Sequence, residues 1–277
     1  MRITIEDDFN LYKITYSGQC FRPRIIDEQT YMFVTGNSVL QIKSISDRQF
    51  DVSCSIDEWN NIWAHYFDLD TSYKDIRLSI PQQDIFIKNA SELGCGIRIL
   101  NQDKFEMLIS FIISQRKSIP AIKSSIEKIC TRYGTFIQNI NGTDIYAFPT
   151  PAELAKATQD ELAECGLGYR VPYILNAVKA VNAGIIDLEK IKDLDDEKLF
   201  EKLKSLYGVG DKVANCICLF AYHRTSRAPV DTWIAKVIHE EYNDINPFPS
   251  YGNVAGIIQQ YVFYSSQHLR AKRIGVS

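Results

Sequence analysis

The sequence predicts an α+β protein, with an antiparallel β-sheet subdomain over residues 1–84 and a mostly helical region over 85–277. Three observations support that division. Apolar and polar residues alternate through residues 1–56, the period of half-buried strands. From Trp59 the apolar spacing lengthens to three and four, the period of helices packed along one face. Further on, Gly208-Val209-Gly210 divides the segment 195–222, so that a helix, a tight hairpin and a second helix follow one another.

Bulk composition sets bounds on function. At 277 residues and 45% hydrophobic, the chain can bury a core sufficient for two or three subdomains, and 12% aromatics suit a globule rather than a disordered chain. A net charge of −3 and a pI near 5.9 argue against coating a polyanion by bulk charge. Any such contact needs a local basic face or backbone amides. The seven cysteines are scattered, odd in number and without a CxxC, and the four histidines form no ligand pattern with them. Neither a metal site nor a disulfide framework is expected. No apolar run reaches the length of a membrane span, and the acidic start MRITIEDDFN differs from a secretory signal. A reduced, cytoplasmic setting is the expectation.

In order along the chain, 30–35 is rich in β-formers, Gly36-Asn37 reads as a hairpin turn, and Leu40/Ile42 and Phe50/Val52/Cys54 alternate with polar neighbours. Ser17-Gly18 reads as a glycine turn between strands. Trp59, Ile62, Trp63 and Tyr66 mark a helix, and the boundary is placed near 80–85, at Pro81. All later signals are helical. Phe105, Leu108, Ile109, Ile112 and Ile113 make one buried helix; Ile119, Ile122, Ile126, Ile129 and Cys130 make another. Thr150-Pro151-Ala152-Glu153 and Thr158-Gln159-Asp160-Glu161 are capping boxes. Gly166 to Arg170 breaks between helices, and Gly184 ends the next one.

The segment 203–236 organises the rest. Leu199, Phe200, Leu203 and Leu206 give one buried helical stripe, which the glycine hairpin stops. A new helix opens near Asp211, with free N–H groups beside the hairpin that suit a phosphate. This is the helix-hairpin-helix pattern of sequence-nonspecific DNA binders; the bland reading is an αα-hairpin with a glycine cap. Lys212 lies in the first turn of the second helix, where the positive helix end disfavours an ammonium. Such a lysine is suited to nucleophilic attack. Asp231 follows 19 positions later (231 − 212), in Pro229-Val230-Asp231-Thr232. It reads as a helix N-cap and, next to an attacking amine, as a carboxylate that steadies a cation.

LYGVGDKVANCICLFA and PVDTW resemble the helix-hairpin-helix, Gly/Pro-rich loop, Asp superfamily of base-excision glycosylases, with the nearest likeness to the 8-oxoguanine DNA glycosylase/AP lyase family. Motifs of that family run from Ser17 to Arg270. Ser17-Gly18-Gln19-Cys20-Phe21-Arg22 is similar to its SGQxFRW signature, with Pro23 in place of the Trp. The resemblance implies that the Gly18 carbonyl meets the flipped base. 8-Oxoguanine carries an N–H at N7, which that carbonyl accepts, whereas guanine presents a lone pair. It further implies a base pocket with Gln259 on the Watson–Crick edge and Phe263 against the ring, opposite Cys216. On residue chemistry alone, Cys216 and Phe263 read as core, and the adjacent Gln260 leaves the register open. Tyr169-Arg170 matches a family pair that fills the gap and contacts the orphaned base. Arg116-Lys117-Ser118 stands where eukaryotic members carry an Asn wedge; Arg116 reads as wedge or as a solvated side chain. The orphan-base arginine that those members place five residues after the first wedge Asn is Ala121 here.

The expected function is a bifunctional DNA glycosylase/AP lyase: Lys212 and Asp231 catalytic, Gly208, Val209, Gly210, Arg116, Tyr169 and Arg170 on the DNA. The partner is double-stranded DNA containing 8-oxoguanine and the state a monomer. No cofactor is required, although the family hairpin often holds a monovalent cation through backbone carbonyls. The competing readings are a monofunctional alkylbase glycosylase, whose branch lacks a lysine at this position, and a noncatalytic helix-hairpin-helix binder, which needs neither Lys212 nor Asp231.

Overall fold

Alternation in the N-terminal part resolves into a five-stranded antiparallel sheet of order β1-β5-β4-β3-β2. The strands are β1 Arg2–Thr4, β2 Arg24–Ile25, β3 Thr30–Thr35, β4 Ser38–Ser44 and β5 Gln49–Val52. The computed structural model describes residues 1–274, with side chains as far as residue 267. The Arg270 side chain, last of the family motifs, lies outside the described residues. Thr35 pairs with Ser38, leaving Gly36-Asn37 as a two-residue hairpin loop. The inner face, Phe33, Leu40, Ile42, Phe50 and Val52, closes on Trp59, Trp63 and Phe67. Trp59 and Trp63 come from one run of helix, 56–66, with a π-helical turn at Trp59–Trp63, and Phe67 is its C-cap.

The structure corrects two expectations. Residues 1–56 are not all strand and turn: Leu11–Tyr16 is a helix, started by Asn10, whose Oδ1 accepts from the Lys13 N–H at 2.9 Å. Leu11 and Ile14 are its buried contacts. So short a helix is set by its cap and its burial rather than by propensity. Ser17-Gly18 therefore follows a helix instead of joining strands. The helical region in turn contains a β-hairpin, Phe136–Ile140 with Thr143–Tyr146. Its loop, Asn141-Gly142, has φ of +51° and +81°, the pattern that Asn-Gly favours.

The remaining helices follow the sequence pattern, including Lys104–Ser114, Ile119–Tyr133, Val171–Asn182, Asp196–Lys204, Asp211–Tyr222, Thr232–Tyr242 and Ala255–Ile274. Both capping boxes form. The segment 17–22 crosses from one core to the other, with Cys20 packed in the sheet core and Phe21 in the helical one. Gln19 is fully buried. It donates to the Arg98 carbonyl at 2.7 Å and accepts from the Leu100 N–H at 2.8 Å, which fixes the position of Gly18 beside it.

Arg22, at the end of this segment, is buried with Glu106, 3.4 Å away. Burial pushes the Glu106 carboxyl from its ordinary 4.5 up to about 7, and the Arg22 charge offsets this only in part. The folded state thus holds this proton more tightly than the unfolded chain. The associated stability is present below the unfolded value and is lost as pH rises through the folded one. At 1.36 kcal/mol per pKa unit the loss is about 3 kcal/mol. Glu106→Gln should flatten this part of the profile. The difference in unfolding free energy between about pH 4 and about pH 8, measured with urea, should shrink in the variant. An equal difference in both proteins would assign the pH dependence to other groups.

Candidate active site

Gly18, Lys212, Cys216, Asp231, Gln259 and Phe263 all line one cavity. Lys212, Cys216 and Phe220 are spaced i,i+4 along one face of the 211–222 helix, and all three reach it. Lys212 Nζ lies 5.5 Å from the centroid of the Phe111 ring. Phe111 stacks on Phe220, with centroids 5.3 Å apart and planes 15° from parallel. Burial raises the Cys216 thiol above its ordinary pKa; Lys212 opposes this by charge and a hydrogen bond, while Asp231 adds to it. Cys216 is therefore a neutral, packed thiol beside the amine.

Asp231 is the N-cap of the 232–242 helix. Its Oδ1 accepts from the N–H groups of Trp233 and Ile234 at 3.0 and 2.9 Å. One carboxylate oxygen holds the helix end while the residue also borders the cavity. The two adjacent glutamines of the C-terminal helix have different partners. Gln260 Nε2 donates to the Ser17 carbonyl. Gln259 is 4% exposed, and its Oε1 has no partner among the described residues. A buried acceptor left without a donor costs about 1–3 kcal/mol, so the cavity is chemically incomplete without an N–H or O–H supplied from outside.

Gly18 has φ +78°, and a Cβ there would stand 2.8 Å from the Phe263 ring. Both the backbone conformation and the close approach require glycine. The cavity is small: it measures ≈ 40 Å³, against about 300–1,000 Å³ for pockets that hold drug-sized ligands. Admitting a planar heterocycle requires its wall to open.

The hairpin leads into the helix that carries Lys212, ending two residues before it. Gly208, at φ +84°, presses on Tyr173, whose ring would lie 2.2 Å from a Cβ. Val209 is buried. Gly210 is extended at φ −95° and caps the 211–222 helix, with open space where a Cβ would be. The N–H groups of the first helical turn have no intrahelical partners, as at any helix start. Gln115 ties the hairpin to the rest of this surface. Its Nε2 donates to the Gly208 carbonyl at 3.1 Å, and its own carbonyl accepts from Arg170 Nε at 2.9 Å and from the Tyr169 hydroxyl at 3.2 Å.

Of the other residues expected on DNA, Tyr169 is exposed, whereas Arg170 is 7% exposed and folded inward. Its guanidinium also donates to the Leu167 carbonyl at 3.2 Å. Within 116–118 the side chains divide. Lys117 Nζ is held by the Gly166 carbonyl at 2.7 Å and by Ser125 Oγ, while Ser118 begins the 119–133 helix. Arg116 is exposed and sits at φ +49°, a left-handed conformation rare for arginine.

Sequence reasoning gave no site role to Phe111, Phe220, Pro229 and Gln115, and left Gln260 as the alternative to Gln259. Phe220 was within reach, since it continues the i,i+4 row of Lys212 and Cys216, and Pro229 lies two residues before Asp231. Phe111 and Gln115 come from a segment distant in the chain.

A glycine hairpin feeding a lysine-bearing helix, with a capping aspartate across a polar-edged cavity, defines a helix-hairpin-helix protein with its site at the hairpin. The chain belongs to the HhH-GPD superfamily of base excision DNA repair proteins, whose family model matches residues 109–260, and residues 2–108 match the 8-oxoguanine DNA glycosylase N-terminal domain. A Clostridium acetobutylicum 8-oxoguanine glycosylase/lyase, solved with double-stranded DNA containing cytosine opposite 8-oxoG, is 34% identical. The match covers 98% of each chain at a TM-score of 0.90. MBOgg1, solved with a low affinity DNA ligand, is 33% identical over 97% of this chain and 96% of its own, at 0.91. The N-glycosylase/DNA lyase of Saccharomyces cerevisiae is 38% identical over 190 residues, 64% of this chain; the match spans only 50% of that longer protein.

Proposed function

We propose that the protein is a bifunctional DNA glycosylase/AP lyase that excises 8-oxoguanine from duplex DNA. One observation carries the reading: Lys212 and Asp231 border a single cavity whose wall includes the unpartnered Gln259 oxygen. The target nucleotide leaves the stack, because its C1′ is unreachable inside the duplex. The Lys212 amine attacks C1′, the C1′–N9 bond breaks with its electron pair departing on the base, and the proton that Nζ sheds on bonding to carbon goes to that base. Asp231 stabilises the positive charge that develops on the sugar. Opening of the sugar ring turns the C1′–Nζ bond into a Schiff base, loss of a C2′ proton follows, and the 3′ phosphate leaves.

Gln259 Oε1 accepts from the base edge, and Phe263 and Cys216 enclose its faces. The Gly18 carbonyl takes the N7–H that only the oxidised base carries, worth about 1–3 kcal/mol of discrimination. Of the 116–118 triplet, Arg116 is the wedge, since Lys117 is committed inward. The 204–210 turn offers backbone carbonyls, among them Leu206, which accepts from Val209 N–H at 3.0 Å and keeps a second lone pair. Such a donor set fits a monovalent cation, which would brace the hairpin against phosphate. Neither reaction step is an oxidation or a reduction, so no redox cofactor is required. A monomer acting in the cytoplasm, nucleoid-associated in a prokaryote, goes with this substrate; no described helix is long and apolar enough to cross a membrane. Trapping of a covalent adduct by borohydride on a duplex with one 8-oxoguanine tests the reading.

The base opposite the lesion has one arginine reader rather than two. Ala121 offers no donor, and Arg170 must release the Gln115 and Leu167 carbonyls before it can reach a base. A good bidentate contact discriminates by about 1–3 kcal/mol, or about 5- to 150-fold. Cytosine should be preferred, but by about that factor less than in an enzyme with both arginines, and Ala121→Arg should sharpen the preference. Single-turnover excision opposite C, T, G and A measures this. Strict dependence on cytosine in the unmodified protein would refute it, and its loss in Arg116→Ala would name Arg116 as a second reader.

A further inference from the structure

Beside the hairpin runs a strip of tyrosines that none of the roles above uses in full. Tyr207, the residue before Gly208, is 59% exposed. Its ring is held edge-on by Tyr173, with centroids 4.9 Å apart and planes at 86°. Tyr173 rests on Gly208 and meets Tyr169 edge-on at 6.1 Å. Tyr169 in turn carries the Arg170 guanidinium 4.4 Å from its ring centroid. Two exposed phenols therefore flank one packed ring, and the strip is continuous from the 168–170 turn to the hairpin.

We infer that Tyr207 is a further DNA-binding residue. Its ring lies against a deoxyribose, and its hydroxyl donates to the phosphate next to the one held by the hairpin amides. The inference rests on the hairpin being a DNA contact, as proposed above. Position supports it: Tyr207 is one residue, about 3.8 Å of backbone, from Gly208. Each strand of duplex carries a phosphate for every 3.4 Å or so of axis, so about one side chain's reach separates the two contacts. Preorganisation supports it as well. Packing on Tyr173 already restricts the ring, so little rotamer freedom is lost on binding. The hydroxyl is available, since no described residue forms a hydrogen bond with it, and tyrosine hydroxyls are regular phosphate donors.

The test is fluorescence anisotropy with a lesion-free duplex and with a duplex holding a stable abasic analogue, each across a range of salt. Tyr207→Phe, which keeps the ring and loses the hydroxyl, should weaken binding to both about tenfold, the scale of a lost hydrogen bond to a charged group. Tyr207→Ala should lose a larger factor, because the ring contact goes with the hydroxyl. Because a phenol displaces no counterion, the slope of log Kd against log salt should match the wild type in both variants. Unchanged affinity in Tyr207→Ala, with the wild type binding normally, overturns the assignment. So does a slope lower by about one, which would mean that a lysine contact had been lost instead. Failure of the glycosylase reading looks different: wild-type protein that binds duplex but forms no borohydride adduct.

Discussion

Lys212→Gln is expected to abolish both base excision and the borohydride-trapped adduct, a loss on the order of 10⁴ or more, the scale of removing a covalent nucleophile. Glutamine keeps polarity and comparable reach but has no nucleophilic amine. The fold should be unaffected. Lys212 is only half-buried at the first turn of its helix, and its apolar neighbour Phe111 is held independently by Phe220 and by Phe21, 5.7 Å away edge-on. Cys216 will not substitute as nucleophile. The Lys212 charge is what opposes the rise of its thiol pKa, so removing that charge leaves burial and Asp231 acting together. An adduct that persists in the variant assigns the chemistry to another amine. Excision without any adduct in the wild type points to a monofunctional enzyme, and duplex binding with neither activity points to a noncatalytic binder.

Asp231→Asn should retain the fold and DNA affinity yet lose on the order of 10²–10³ in single-turnover rate, the usual effect of removing one preorganised electrostatic contact. The cap survives the change. An Asn side-chain oxygen can accept from the Trp233 and Ile234 N–H groups as the Asp Oδ1 does, and Asn caps about as well as Asp. What disappears is the negative charge at the cavity. Asp231→Ala separates the two roles: it should lose the same rate and, in addition, about 1 kcal/mol of stability with the cap. Thermal unfolding and single-turnover excision, measured on both variants, decide the matter. If Asp231→Asn melted far below the wild type while activity per folded molecule held, capping would be the whole of its role.

The residues proposed for the cleavage chemistry were legible in the sequence because their signals are local. A glycine hairpin between two amphipathic runs, a lysine at a helix start and an aspartate just before one all express interactions within about one helical turn. The capping boxes and the Gly36-Asn37 loop were legible for the same reason. The Asn141-Gly142 hairpin had an equally local signal, but the helical character of its neighbours obscured it. The 11–16 helix was harder, since Asn10, Leu11 and Ile14 fit a strand's edge about as well as a capped turn until burial selects between them.

Only the tertiary structure decided what surrounds the cavity. The choice between Gln259 and Gln260 depends on the Ser17 carbonyl, 243 positions away from Gln260 in the chain. The inward turn of Arg170 depends on the Gln115 carbonyl, 55 positions before it. Phe111 lay outside the residues read as the apolar stripe of its own helix, yet it lies near the Lys212 amine because the 211–222 helix packs across it. The close approach of Phe263 to Gly18 joins two ends of the chain. Hydrophobic periodicity states that a face is buried but not which partner buries it, because apolar contact is non-directional and many partners satisfy it equally. The partner is fixed only when the whole core closes and each buried polar atom either finds its mate or, like Gln259 Oε1, is left to meet a ligand.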